Sequence, residues 1–85
     1  MGKYKLLIRE SAAKELESIP KKALQKLIGR IQALEDNPRP AGCQKLSVQE
    51  RYRLRQGNYR IIYSVQDEEQ TVTIVKIGHR REVYR

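Results

Sequence analysis

The stretch from Arg51 to Tyr63, RYRLRQGNYRIIY, limits what this chain can fold into more than any other. Basic residues alternate with others before Gly57-Asn58, a two-residue hairpin signal, and an apolar run follows it. Strand side chains change face with a period of two, so Arg51, Arg53 and Arg55 share one face while Tyr52 and Leu54 take the other. With Gly57 and Asn58 as the loop, Arg55 stands opposite Arg60, Leu54 opposite Ile61 and Tyr52 opposite Tyr63. Arg51, Arg53, Arg55 and Arg60 then converge on a cationic face. Leu54, Ile61, Tyr63 and Val65 collect on the reverse face, as a sheet packed against helices requires.

The rest of the chain supplies those helices and the remaining strands. Lys3 to Arg9 alternates loosely and reads as a first strand, with Tyr4, Leu6 and Ile8 on one face. Ser11 is a candidate N-cap for a short helix running through Ile19, with Ala12, Leu16 and Ile19 inward. From Pro20, the residues Leu24, Leu27, Ile28, Ile31 and Leu34 follow the spacing of an amphipathic helix, with Lys21, Lys22, Lys26 and Arg30 outside the stripe. Gly29 weakens that helix by about 1 kcal/mol relative to Ala, which predicts a close helix contact there. Asn37-Pro38 ends it, and residues 37–45, NPRPAGCQK, read as a loop. An acidic turn, Asp67-Glu68-Glu69-Gln70, leads into a last strand from Thr71 to Ile77 that is apolar on both faces and therefore central; Gly78 is a natural place for it to stop. The expected class is α+β: an N-terminal strand, a helical hairpin, then a three-stranded antiparallel meander, with the helices covering one face of a small sheet.

An 85-residue chain of this kind is most simply a single domain, residues 1–85, whose modest core leaves no room for a deep cofactor pocket. Net charge is +8, and Arg51, Arg53, Arg55 and Arg60 fall within ten positions that hold no acid, which points to a polyanionic partner. Cys43 is the one cysteine, so an intrachain disulfide and a cysteine-based zinc site are both excluded. The longest apolar run, Leu6-Leu7-Ile8, is too short to anchor the chain in a membrane. A cytoplasmic location is expected.

The strings NPRP, YRLRQGNYRIIY and GHRREVYR, at these relative positions and on this element order, resemble the RelE/ParE superfamily of bacterial toxins, and within it the RelE branch. The resemblance spans nearly the whole chain. It implies a RelE-like fold and a small ribonuclease, the toxin of a type II toxin-antitoxin system. Such a toxin enters the ribosomal A site, cleaves the mRNA there and is neutralised by a cognate antitoxin. Arg80 matches the arginine that the family uses near the scissile phosphate, and Tyr84 lies where the family's terminal tyrosine sits.

The residue chemistry is compatible with that reading. Internal RNA cleavage needs the 2′-OH deprotonated, the charge of the in-line transition state neutralised, the leaving 5′-oxygen protonated and the nucleotide held in place. Arginine binds phosphate bidentately and keeps its charge, so Arg53, Arg55 and Arg60, with Arg51 beside them, suit phosphate binding. His79, the one histidine, is suited by type to proton transfer near neutrality. Tyr84 can stack on an unpaired base or pack the C-terminus onto the sheet. Arg53 and Arg55 stand where some relatives carry lysines, one of them proposed as general base, and arginine is a poor base. Base duty then passes to His79 or Glu50, or catalysis rests on positioning and electrostatics alone. No cofactor or metal is called for by the residues. The expected partners are the ribosome, mRNA and an acidic RelB-like antitoxin that covers the basic face or displaces the C-terminal tail. Two other functions fit the same fold: a ParE-like toxin that poisons DNA gyrase, and a basic RNA-binding module without catalysis.

Overall fold

The architecture is given by a computed structural model that describes residues 3–46 and 51–79, with the backbone alone at His79. Among the described residues seven elements follow one another: β1 (Lys5–Ile8), α1 (Glu10–Glu17), α2 (Lys21–Ala33), β2 (Gln44–Leu46), β3 (Arg51–Gln56), β4 (Tyr59–Gln66) and β5 (Thr71–His79). The strands form one sheet in the order β1-β5-β4-β3-β2. All neighbours run antiparallel except β1, which lies parallel to β5 from Lys5 opposite Thr71 to Ile8 opposite Ile74. The class is α+β, with a helical pair on one face of the sheet, as the sequence pattern requires.

Burial follows the alternation of the hairpin. Leu54 stands opposite Ile61 and Tyr52 opposite Tyr63, and all four are buried together with Val65, Val72, Ile74 and Ile77. Ala12, Ile19, Leu27, Ile31 and Leu34 complete this core from the helical side. A β-bulge between Ile62 and Tyr63 realigns β4 with β5, so that Ile61 faces Ile77 before it and Tyr63 faces Ile74 after it. The extra residue keeps apolar side chains inward on both sides of the irregularity.

Several sequence expectations are corrected in the structure. Helix α1 starts at Glu10, so Arg9 rather than Ser11 is its N-cap, no side chain caps it, and it ends at Glu17, two residues before the buried Ile19. Ile28 belongs to the apolar spacing of α2 yet is 39% exposed, because the helix turns Leu27 and Ile31 to the sheet instead. A Cβ added at Gly29 would meet nothing within 4 Å, so no helix presses on that position. The loop ends early: Gln44–Leu46 pairs with β3 as an edge strand. Strand β1 begins at Lys5 rather than Lys3, and Ile8 points to solvent. Strand β5 is interior but not the middle strand, and it continues through Gly78 to His79.

Two side chains from outside the apolar pattern fasten the assembly. Beyond the end of β1, the Glu15 carboxylate accepts the Ile77 backbone N–H (2.9 Å) and forms an ion pair with Lys76 (2.9 Å), satisfying β5 on the side where β1 has run out, opposite its pairing with β4. At the other end of the sheet, Arg39 donates to the Tyr52 hydroxyl (2.8 Å) and, through both terminal nitrogens, to the Asp67 carboxylate (3.1 and 2.8 Å). The Tyr4 hydroxyl donates to the same carboxylate (2.8 Å), and the buried Tyr63 hydroxyl donates to the Pro38 carbonyl (2.7 Å). The NPRP segment is therefore pinned to β3, β4 and the β4–β5 turn at once, and Tyr4, just before β1, joins the same Asp67 carboxylate. The Arg39 guanidinium, then the Tyr4 hydroxyl, hold the Asp67 carboxyl below its usual pKa, and its hydrogen bond to Asp67 raises that of Tyr4.

A depressed folded-state pKa contributes stability that is present above the unfolded value, about 3.9 for Asp, and is lost as pH falls through the folded value. Asp67→Asn is accordingly expected to lower the melting temperature at pH 7. The gap between variant and wild type should close as the medium is acidified below the ordinary carboxylate range. Thermal melts followed by circular dichroism from pH 7 to pH 2 measure it; a gap independent of pH would show that Asp67 acts without its charge.

Candidate nucleic-acid interface

The cationic face is a product of the β3–β4 register. The turn falls at Gly57-Asn58, where Gly57 takes φ +60°, and Arg55 pairs with Arg60, Arg53 with Ile62 and Arg51 with Ser64. All four arginines thus have the parity opposite to Tyr52, Leu54, Ile61 and Tyr63. Like charges placed across a ladder repel, so packing alone gives no reason to bring Arg55 and Arg60 together.

The four are not equivalent. Arg51 and Arg55 are exposed and Arg53 is half-buried, whereas Arg60 is 3% exposed although it lies on the face away from the helices. Its partner across the β4–β5 ladder is Gly78, which contributes no side chain beside it. Arg53 donates to the Gln44 side-chain carbonyl, its ladder neighbour on β2, so the edge strand missed in the loop reading also orients one arginine of the face. From α2, Arg30 donates to the Arg55 carbonyl (3.4 Å), tying the helix to the arginine-bearing strand near the turn. The Arg53 guanidinium, held by Gln44, would have fewer conformations to lose on binding an anion.

His79 is the last described residue. Its backbone pairs with Tyr59, one step beyond the Arg60–Gly78 pair, which gives it the register parity of Tyr59 and Ile77 rather than of Arg60. Arg80, Tyr84 and Glu50 lie outside the described residues, as does Arg81. The structure thus brings Arg51, Arg53, Arg55 and Arg60 onto one face and puts the His79 backbone at the same end of the sheet as Arg55 and Arg60. Tyr52 and Tyr63 are core residues with rings stacked at 5.7 Å, not parts of an RNA platform, in line with their apolar parity. Among the described residues, no three His, Cys, Asp or Glu side chains gather as a metal site, and no helix is long and apolar enough to cross a membrane.

Sequence reasoning passed over Arg39. The signal was present as a basic residue between two prolines with an acidic turn elsewhere in the chain, yet its contacts span 13 and 28 positions, beyond the reach of local pattern. Its guanidinium carbon sits 5.1 Å from the centre of the Tyr52 ring, adding a cation–π contact to the three hydrogen bonds, so Arg39 is spent on structure.

The same arrangement of helices and sheet is found in solved toxins of the RelE kind. The archaeal RelE of Pyrococcus horikoshii, solved in complex with RelB, shares 28% identity at a TM-score of 0.81 over 92% of this chain and 96% of its own. The isolated Escherichia coli RelE toxin is 26% identical at a TM-score of 0.80, over 95% of this chain and 90% of that one. In sequence, an Escherichia coli RelE-like toxin protein is 28% identical over 80 residues, 92% of this chain and 84% of the relative. The chain belongs to the family described as ParE toxin of type II toxin-antitoxin system, parDE, which matches residues 6–84. Within that RelE/ParE superfamily its likeness is to the RelE branch.

Burial separates the arginines by experiment. Arg60→Ala should destabilise by about 1 to 3 kcal/mol through lost packing, while exposed Arg51→Ala should stay within about 0.5 kcal/mol of wild type. Urea denaturation of both variants reads the difference; equal stabilities would mean that the buried position of Arg60 contributes nothing to the fold.

Proposed function

We propose that this type II toxin is a ribosome-dependent endoribonuclease that cleaves mRNA in the A site and so inhibits translation. The observation that carries the reading is the face on which Arg51, Arg53, Arg55 and Arg60 are aligned by the β3–β4 register, on a fold that matches RelE at a TM-score of 0.80. In the proposed reaction the 2′-oxygen of one nucleotide attacks the adjacent phosphorus in line as its proton passes to a base. The bond to the 5′-oxygen breaks, that oxygen takes up a proton, and a 2′,3′-cyclic phosphate is left.

Each residue has a distinct task in this scheme. Arg53 and Arg55, with Arg51 at the far end, bind successive phosphates and set the register of the message. Arg60 stabilises the transition state in this scheme; its burial supports the role, since a charge held in a water-poor position acts more strongly than one in bulk solvent. Arg80 neutralises the scissile phosphate and Tyr84 stacks on an unpaired base, both by the family resemblance. His79 accepts the proton, with Glu50 as the alternative acceptor. The ribosome supplies the geometry of the message, and a cognate RelB-like antitoxin, acidic where it meets the arginines, neutralises the toxin by covering this face or displacing the tail. Several structural relatives were solved bound to RelB, which supports that kind of partner.

The family description favours one other reading, a ParE-like toxin that poisons DNA gyrase by protein contact. Inhibition of gyrase supercoiling by the purified chain would select it.

Primer extension on a translated message tests the first reading. Cuts inside codons are expected with wild type, to disappear with Arg80→Ala, and to fall by at least about a hundredfold with Arg60→Lys, which keeps the charge but loses the fork. Cutting of the same message without ribosomes, or equal cutting by both variants, would count against it. Titration with a RelB-type antitoxin is expected to restore translation at stoichiometric ratio, and no recovery in excess would remove that partner.

A further inference from the structure

Not all of the basic charge lies on the arginine face. Lys21, Lys22 and Lys26 occupy the first half of α2, where the helix has no acid in its first turn. Positive side chains at a helix N-terminus oppose the macrodipole, and Lys22 and Lys26, one turn apart, repel each other. Among the described residues neither forms an ion pair or a hydrogen bond. The helix therefore carries a local electrostatic cost that its own fold does not offset.

These two lysines border a cleft of about 250 Å³ between α2 and the β3–β4 turn. Ala23 and Tyr59 give it apolar walls, Gln56 and Asn58 add amide groups, and no acid among the described residues lines it. Its volume is below the roughly 300–1,000 Å³ of pockets for drug-sized ligands, which limits the occupant to something as small as one planar base. Gln56 and Tyr59 close the hairpin as a ladder pair and directly follow Arg55 and precede Arg60 in their strands. A strand lying along the arginines reaches the cleft by rounding a turn of only two residues.

We infer that this cleft is a second RNA subsite, which takes one unpaired nucleotide with its base against Tyr59 and its flanking phosphates on Lys22 and Lys26. The inference rests on the RNA-cleaving reading given above, and it adds a contact on the helix side of the sheet to the arginines on the other. An unpaired nucleotide matches every wall of the cleft: an aromatic ring for stacking, amides for base edges and two ammonium groups for phosphates. An acidic peptide would match the lysines but leave the aromatic wall and the amides without a specific counterpart.

The test is a titration of the full chain, labelled with ¹⁵N, by a single-stranded RNA hexanucleotide, alongside binding isotherms at several salt concentrations. Amide shifts are expected at Lys22, Ala23, Lys26, Gly57 and Asn58. The double variant Lys22→Ala with Lys26→Ala keeps the helix, since both positions are exposed and alanine favours helix. It is expected to lower the salt slope of binding by about 1.4, two phosphate contacts at about 0.7 each on a single strand. An unchanged slope, or cleft amides that do not move, overturns the subsite. Polyglutamate of matched charge that moves the same amides and displaces the RNA also overturns it and assigns the cleft to an acidic polypeptide. Silent cleft amides with intact ribosomal cleavage remove the subsite alone, whereas shifted amides without cleavage remove the nuclease reading and leave the subsite standing.

Discussion

Everything distinctive in this protein depends on the strict two-residue alternation of β3 and β4, which must satisfy two incompatible environments at once. Leu54, Ile61, Tyr63 and Val65 need a dry interior, and the arginines between them need water or an anion. A register slip of one residue would bury Arg53 and Arg55 and expose Leu54, so the hydrophobic demand of one face fixes the spacing of charge on the other. The cationic surface is positioned by the core behind it, and repulsion among its members is overridden by burial in the layer below.

The same logic shows why the fold needs fasteners that are neither apolar nor catalytic. Small domains bury a limited share of their surface, and here polar side chains close what hydrophobic contact leaves open. Glu15 completes the β5 ladder where β1 runs out, and Arg39 gathers Tyr52 and Asp67 while Tyr63 holds Pro38. These contacts join segments far apart in sequence, so the helices, the NPRP segment and the last turn are set relative to the arginine strands. Arginine thus has two uses in one chain: Arg39 is saturated by protein acceptors, while Arg51 and Arg55 are displayed to solvent.

Local pattern carried most of the fold and part of the site. The hairpin register, the burial of Leu54 and Tyr63 and the two helices were legible because each is set by period and turn chemistry within a dozen residues. Strand β2 was not, since three residues after a Pro- and Gly-rich segment gain strand character only from pairing with β3. The capping reading of Ser11 failed because Arg9 already accepts the Ala13 N–H at 2.9 Å, starting the helix two residues earlier than the serine signal suggests. The exposure of Ile28 and the burial of Arg60 are likewise tertiary facts: a stripe or a strand parity says which side a residue takes, not what else covers it. The arginine cluster was readable as a face, but its inequality, with one member buried and another held by Gln44, was not.

The parallel pairing of β1 with β5 has a consequence for how the molecule comes into being. Lys5 must find Thr71 and Ile8 must find Ile74, so β1 is completed by the most distant of the described strands, β5. Contacts this distant in sequence are slow to form, and during synthesis they cannot form until β5 itself has been made and released. A sheet assembled in this order stays open on its β1 side until β5 arrives, so Lys5–Ile8 pass the earlier part of folding without the strand that completes them.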